Sequence, residues 1–137
     1  MINLLIDTNI IVDYFSDNDF AKQAEQIIEV CSGEEITGFM NASSVTDVYY
    51  ILRKKFKHEE LIENLKILFE IIEIIDIDKT DIFLAMDSDI RDLEDALVSR
   101  CADKANTDYI ITRNVKDFTN SNIKALEPST FIAQINV

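Results

Sequence analysis

A three-layer α/β/α domain with a mostly parallel central sheet is predicted by three features of the sequence. Short apolar runs, too short for helices, alternate with longer stretches whose apolar residues recur at helical spacing. The clearest run, Ile2 to Ile6, opens onto polar residues, as a buried parallel strand does where it feeds a helix, and the run from Ile71 to Ile77 is rich in β-branched Ile. No internal repeat, low-complexity tract or linker interrupts the alternation, and 137 residues suit one domain, 1–137.

The elements follow in order. Ile2 to Ile6 (INLLI) is the first strand, bounded by Asp7-Thr8-Asn9. Ser16 and Asp17 offer N-cap side chains ahead of Phe20 to Cys31, where Phe20, Ala24, Ile27, Ile28 and Cys31 recur at helical spacing, and Gly33 ends that helix. Ile36 to Met40 is the second strand. Ser43 or Ser44 can cap the next helix, whose apolar residues are Val45, Val48, Tyr49, Leu52 and Phe56, and Arg53-Lys54-Lys55 place positive charge in its last turn. His58 to Phe69 is a further amphipathic helix, and Ile71 to Ile77 is the third strand. Thr80 to Ser88 and Asp92 to Asn106 are helices, Tyr109 to Ile111 and Ala125-Leu126 are strands, and Pro128 suits the first turn of a terminal helix.

Composition narrows the function. Thirteen Lys and Arg stand against 26 Asp and Glu, a formal net charge of −13, and taken alone that argues against a nucleic-acid partner. Two glycines exclude a phosphate-binding loop and a dinucleotide fingerprint. Cys31, Cys101 and His58 fall short of the four ligands of a structural zinc site, and the two cysteines read as buried thiols. The stretch Met1 to Phe15 carries Asp7 and Asp13 and no Lys or Arg, so it does not read as a secretory signal, and no run approaches the ~18 apolar residues of a membrane span. A cytoplasmic protein with no membrane partner is expected.

In parallel sheets the site lies beyond the carboxyl ends of the strands, which directs attention to the acids there. Asp7 directly follows the first strand, as a helix N-cap or as a ligand. Asp47 sits inside a helix next to core-directed Val45, Val48 and Tyr49, where an acid is paired, metal-bound or on a solvated flank. Asp76 to Asp95 holds eight acids against Lys79 and Arg91, a local net of 2 − 8 = −6. Within it Asp92 is an N-cap or first-turn acid. Asp95 opens the apolar stripe Ala96, Val98 and Ala102, and the i, i+3 spacing puts it on one helix face with Asp92. A calcium loop starting at Asp76 is excluded, since Asp81 and Asp87 stand where Gly and Glu are required. Thr112, Asn114 and Asp117, after the fourth strand, supply further oxygen atoms or an Asx-type turn opening a short helix. Carboxylates converging from four places repel one another unless neutralised. Hard divalent cations, Mg²⁺ or Mn²⁺, are the usual remedy, and such a site suits phosphoryl chemistry.

These motifs resemble the PIN-domain family of metal-dependent ribonucleases, which includes VapC-type toxins. The resemblance spans nearly the whole chain and rests on Ile6-Asp-Thr-Asn-Ile10, Thr46-Asp-Val-Tyr-Tyr50, Asp92-Leu-Glu-Asp-Ala96 and Ile111-Thr-Arg-Asn-Val-Lys-Asp-Phe118. It implies a PIN-like fold in which Asp7 and Asp95 are core metal ligands, and Asp47 and Asp117 complete or orient the shell. One departure is plain: the family usually has Glu where Asp47 stands. The implied reaction is hydrolysis of an RNA phosphodiester by a metal-generated hydroxide, leaving 5′-phosphate and 3′-hydroxyl ends. Thr8, Asn9, Asp92, Thr112 and Asn114 would surround the ligands, and Arg53, Lys54, Lys55, Lys57 and Arg113 would contact phosphate. Tyr49 and Tyr50 are read as core rather than base-stacking residues. A small antitoxin and a homodimer are implied by the resemblance alone.

Other classes fit less well. A haloacid-dehalogenase phosphatase needs a second acid where Asn9 stands. A receiver domain needs an acidic pair after the first strand and a phosphorylatable Asp after a central one, where Asn41 follows Met40 and only Asp76 or Asp78 keeps the reading open. The alternative from another class is a catalytically degenerate PIN-like protein acting as an interaction module through its acidic surface. Two Mg²⁺ ions offset only 4 of the 13 net charges, so a selective or weakly active nuclease, or one lent positive charge by its partner, is expected.

Overall fold

Leu4, Leu5 and Ile6 are fully excluded from solvent and alternate between two hydrophobic clusters, as period-two side chains on a doubly covered strand must. That strand, β1 (Ile2–Ile6), is the centre of the fold in the computed structural model, which describes residues 1–136. The other strands are β2 (Ile36–Asn41), β3 (Ile72–Ile75), β4 (Tyr109–Ile111) and β5 (Ala125–Leu126). All four pairings are parallel and the order is β3-β2-β1-β4-β5.

Seven α-helices, counted among the described residues, cover the sheet: α1 (Thr8–Tyr14), α2 (Ala21–Cys31), α3 (Ala42–Leu52), α4 (His58–Leu68), α5 (Lys79–Met86), α6 (Leu93–Lys104) and α7 (Pro128–Ile135). Leu4 and Ile6 pack into the larger cluster with residues of α1 to α4 and α7, including Ile10, Ile27, Val48, Leu61 and Phe131. Leu5 and Ile110 pack on the other face with Val98, Cys101 and Ala102 of α6. The predicted three-layer α/β fold with a parallel sheet is therefore the one observed, and the sheet is parallel throughout.

Several element boundaries differ from expectation for local reasons. Asp7 ends β1 and caps a separate seven-residue helix, α1, by accepting the Thr8 backbone N–H at 2.9 Å. Ser16 and Asp17 do not cap α2. Ser16 Oγ turns back to the Val12 carbonyl at 2.6 Å, and Asn18 receives the backbone N–H groups of Phe20 and Ala21 instead. Likewise α3 starts at Ala42, ahead of Ser43 and Ser44. Their hydroxyls engage the Asn41 carboxamide at 2.6 and 3.0 Å, so neither serves as the cap. The helix stops at Leu52, which puts Arg53-Lys54-Lys55 in the turn beyond it. Tyr49 packs against the core as expected and pairs its hydroxyl with His58 Nδ1 at 2.8 Å. Tyr50 instead is exposed, with the Arg53 guanidinium over its ring.

Two packing details fix the layers. At Gly38 on β2 a Cβ would lie 2.6 Å from Ile72 Cδ1 and 2.8 Å from Cys31 Sγ, so glycine permits the close approach of α2 and β3. On the opposite side Asp81 of α5, 1% exposed, accepts Arg100 Nε at 2.9 Å and Lys104 Nζ at 2.7 Å from α6. No helix among the described residues is long and apolar enough to cross a membrane.

Candidate active site

The strand order reverses beside β1: the chain runs outward through β2 and β3, then returns to place β4 on the other side of β1. Such a switch point opens a crevice at the carboxyl ends of the strands, where neighbouring connections part in opposite directions. A cleft of about 310 Å³ lies there, and Asp7, Asp47, Glu94, Asp95, Arg113 and Asn114 are among the residues that line it.

Asp7 is the best-anchored of these acids. Its backbone N–H donates to the Ile111 carbonyl at 3.0 Å, continuing the β1–β4 pairing by one residue. Its Oδ2 accepts the fully buried Thr112 hydroxyl at 2.9 Å and the Asn9 amide at 3.3 Å. Asn9 also donates to Thr112 Oγ1 at 3.3 Å and accepts the Arg113 backbone N–H at 3.2 Å, and the Asn114 N–H donates to Thr112 Oγ1 at 3.0 Å. Burial pushes the Asp7 carboxyl above its ordinary range. The Thr112, Thr8 and Asn9 hydrogen bonds oppose this, while the charge of Asp117 adds to it.

The other acids arrive from helices. Asp92 caps α6 by accepting the Asp95 N–H at 3.1 Å, so the cap sets the start of the helix and with it the place of Asp95. Burial, then the charges of Asp92, Asp117 and Asp7, push Asp95 up to about 6. Asp47, half-buried on α3, shares a hydrogen bond with Glu94. That bond, with burial and the charges of Asp47, Asp92 and Asp95, raises Glu94 to about 7. Asp117 sits on an exposed 3₁₀ turn, Val115–Phe118, its N–H bonded to the Asn114 carbonyl at 3.0 Å.

The sequence-predicted residues therefore divide. Asp7, Asp95 and Asp117 feel one another's charge, and Thr8, Asn9, Thr112 and Asn114 stand around Asp7. Asp47 faces Glu94. Arg53, Lys54, Lys55 and Lys57 are exposed and do not line the cleft. Arg113 does, although its guanidinium is already engaged by Asp13 at 2.7 Å. Glu94 and Asp13 were not singled out by sequence reasoning. Glu94 is hidden among seven other acids of Asp76–Asp95, whereas Asp13 carried a signal, an acid inside the apolar run Ile10 to Phe15.

The donors are carboxylate, hydroxyl and amide oxygens, suited to a hard divalent cation, and burial together with neighbouring acidic charge raises the carboxyls of Asp7, Asp95 and Glu94. Among the described residues no three His, Cys, Asp or Glu side chains are gathered closely enough to enclose a metal ion. The acids approach one another without closing into a shell.

Comparison with known proteins agrees with this architecture. The chain is 29% identical to ribonuclease VapC1 of Aquifex aeolicus over 139 residues, covering 97% of this chain and 95% of that protein. Its fold is similar to that of VapBC2 from Rickettsia felis bound to a promoter DNA fragment, with a TM-score of 0.73 and 20% identity over 92% of this chain and 98% of that one. A toxin–antitoxin complex from Klebsiella pneumoniae aligns with a TM-score of 0.69 and 23% identity over 91% and 97%. The sarcin–ricin-loop-cleaving toxin VapC20 of Mycobacterium tuberculosis aligns with a TM-score of 0.62 and 12% identity over 78% and 86%. A PIN domain model matches residues 3–116, the span that runs from β1 through β4 into the turn after it and so contains every strand that builds the cleft. On that match the chain belongs to the PIN-domain family.

Proposed function

We propose that this protein is a metal-dependent endoribonuclease of the VapC kind, the toxin of a toxin–antitoxin pair. The observation that carries the reading is the convergence of Asp7, from the end of β1, and Asp95, from α6, on one cleft at the switch point, with Asp117 on the turn after β4 near enough for its charge to act on both. Fully ionised carboxylates in that arrangement destabilise the fold unless a cation joins them.

Asp7 and Asp95 hold Mg²⁺ or Mn²⁺, and Asp117 with Asp47 completes or orients the set. When bound, the cation activates water and offsets charge at the scissile phosphate. Thr112 and Asn9 fix the Asp7 carboxylate, leaving its orientation no freedom to drift. Glu94 lines the cleft with Asp47 and supplies the length that Asp47 lacks relative to the Glu usual in the family. Arg113 meets RNA phosphate nearest the acids. Arg53, Lys54, Lys55 and Lys57 meet it outside the cleft. The partners are RNA, a small antitoxin protein and a second copy of the chain.

The test is thermal melting and RNA cleavage with Mn²⁺. Mn²⁺ is expected to raise Tm and to support cleavage of RNA, and the Asp95→Asn protein is expected to lose both. A wild type that cleaves no RNA with Mn²⁺ and, like Asp95→Asn, gains no Tm from Mn²⁺ refutes the nuclease reading. Expression is expected to arrest growth unless the antitoxin is present, and unimpaired growth at verified expression refutes the toxin role.

A further inference from the structure

Among the described residues that line the cleft, Arg113 is the single cation against four acids, and its side chain is not loose. Asp13 of α1, 1% exposed, accepts Arg113 Nε on Oδ2 at 2.7 Å and Nη2 on Oδ1 at 3.2 Å. Asn18 Nδ2 donates to the same Oδ1 at 2.9 Å. The guanidinium carbon also lies over the Phe20 ring, 4.2 Å from its centroid. A carboxylate this buried is retained only with a partner, and here the partner is a residue at the cleft. The link between α1 and the segment after β4 does not depend on this pair, because Asn9 already bonds the Arg113 backbone N–H and Thr112 already bonds Asp7. What Asp13 adds is the direction of the guanidinium.

We propose that Asp13 is a positioning residue that, with Phe20, holds Arg113 as the phosphate-binding donor of the cleft. The proposal rests on the ribonuclease reading above. Asp13 takes Nε and Nη2, and Nη1 makes no hydrogen bond among the described residues, so that edge is left for a phosphate oxygen of the RNA backbone. The ion pair carries no net charge. It therefore contributes directed donors at short range rather than attraction at a distance, which is how a chain of net charge −13 can hold one phosphate without gripping RNA everywhere.

Steady-state cleavage of a fluorescent RNA with Mn²⁺ by wild type, Arg113→Ala, Arg113→Lys, Asp13→Asn and Phe20→Ala tests this, with melting curves to confirm folding. Arg113→Ala is expected to raise KM about tenfold with kcat within about twofold, a ratio that persists at high salt because a directed contact is little screened. Lysine lacks the planar fork, so Arg113→Lys is expected to recover little of the loss. Asp13→Asn is expected to raise KM about three- to tenfold, and to add nothing in the Arg113→Ala background. Phe20 is exposed, so Phe20→Ala keeps the fold and is expected to raise KM about twofold. A wild-type KM for Arg113→Ala overturns the inference while wild-type cleavage leaves the nuclease reading intact. A raised KM for Arg113→Ala with wild-type values for both Asp13→Asn and Phe20→Ala overturns the positioning role. A wild type inactive on RNA overturns both readings together.

Discussion

Asp7 serves two ends at once: one oxygen caps α1 and the other is held by Thr112 and Asn9 beside the cleft. Capping α1 therefore leaves the second oxygen of this acid beside the cleft. Asp95 differs, since it is held by few contacts and is pushed up to about 6 by burial and three acidic neighbours. A carboxyl raised in the folded state binds its proton more tightly there than in the unfolded chain. Its contribution to stability is thus full below the unfolded pKa of about 4 and is lost as pH rises through about 6. Glu94, raised to about 7, extends the same loss toward neutrality. Without metal, the Tm measured in chelator is expected to fall between about pH 5 and pH 7.5. Asp95→Asn is expected to melt about 2–5 °C above wild type at pH 7.5, with the difference gone near pH 4.5. A flat profile for both proteins removes the repulsion on which the metal assignment rests. Which of eight clustered acids would matter was legible in part. Asp95 showed itself by opening an apolar stripe, whereas Glu94 acts through a residue 47 positions away and left no local mark.

At the scale of elements, the helices were legible from their stripes, and their ends were not. The start of α2 is decided by Asn18 rather than by Ser16, because Ser16 finds the Val12 carbonyl first; which of two competing side chains wins is a matter of geometry. The last-turn charge expected at the end of α3 lies in the turn beyond Leu52, so the Arg53–Lys55 cluster complements that helix only from outside. Helix α5 shows the reverse case. Its apolar residues Ile82, Phe83, Leu84 and Met86 are exposed, and it is Asp81 that is buried. Burial pushes the Asp81 carboxyl upward, but the Lys104 ammonium, the Asp78 N–H and Arg100 outweigh it and hold it well below the carboxylate range. This group therefore stabilises α5 on α6 above about pH 4, and that contribution is lost as pH falls further. Asp81→Asn is expected to cost about 2 kcal/mol in urea unfolding at pH 7, with the cost shrinking under strong acid. A second expectation concerns β2: Gly38→Ala forces Ile72 or Cys31 aside and is expected to cost about 1–3 kcal/mol. A neutral result at either position refutes the corresponding packing account.

For the molecule as a whole, the parallel sheet was legible because helical stripes separate the first four strand runs; only β4 and β5 follow one another without an α-helix between them. The order of the strands was not, since no residue in Tyr109–Ile111 announces that it returns to pair with β1. Net charge acts at this scale. A protein of net charge −13 repels itself, so raising salt is expected to lift the Tm of the metal-free form by a few degrees, and Mn²⁺ is expected to act well beyond that ionic effect. At a hundredfold excess over its Kd the cation is expected to add about 2.7 kcal/mol to wild type, a gain that neither NaCl at matched ionic strength nor Mn²⁺ on the Asp95→Asn protein reproduces. The return of β4 to the middle of the sheet has one more consequence, and it concerns synthesis. A ribosome releases Asp7 and Asp47 early, yet neither has its cleft until Tyr109–Ile111 slots in beside Ile2–Ile6 and brings Thr112 to Asp7. The cleft is thus a late product of translation: most of the chain has been made before Asp7 meets Thr112.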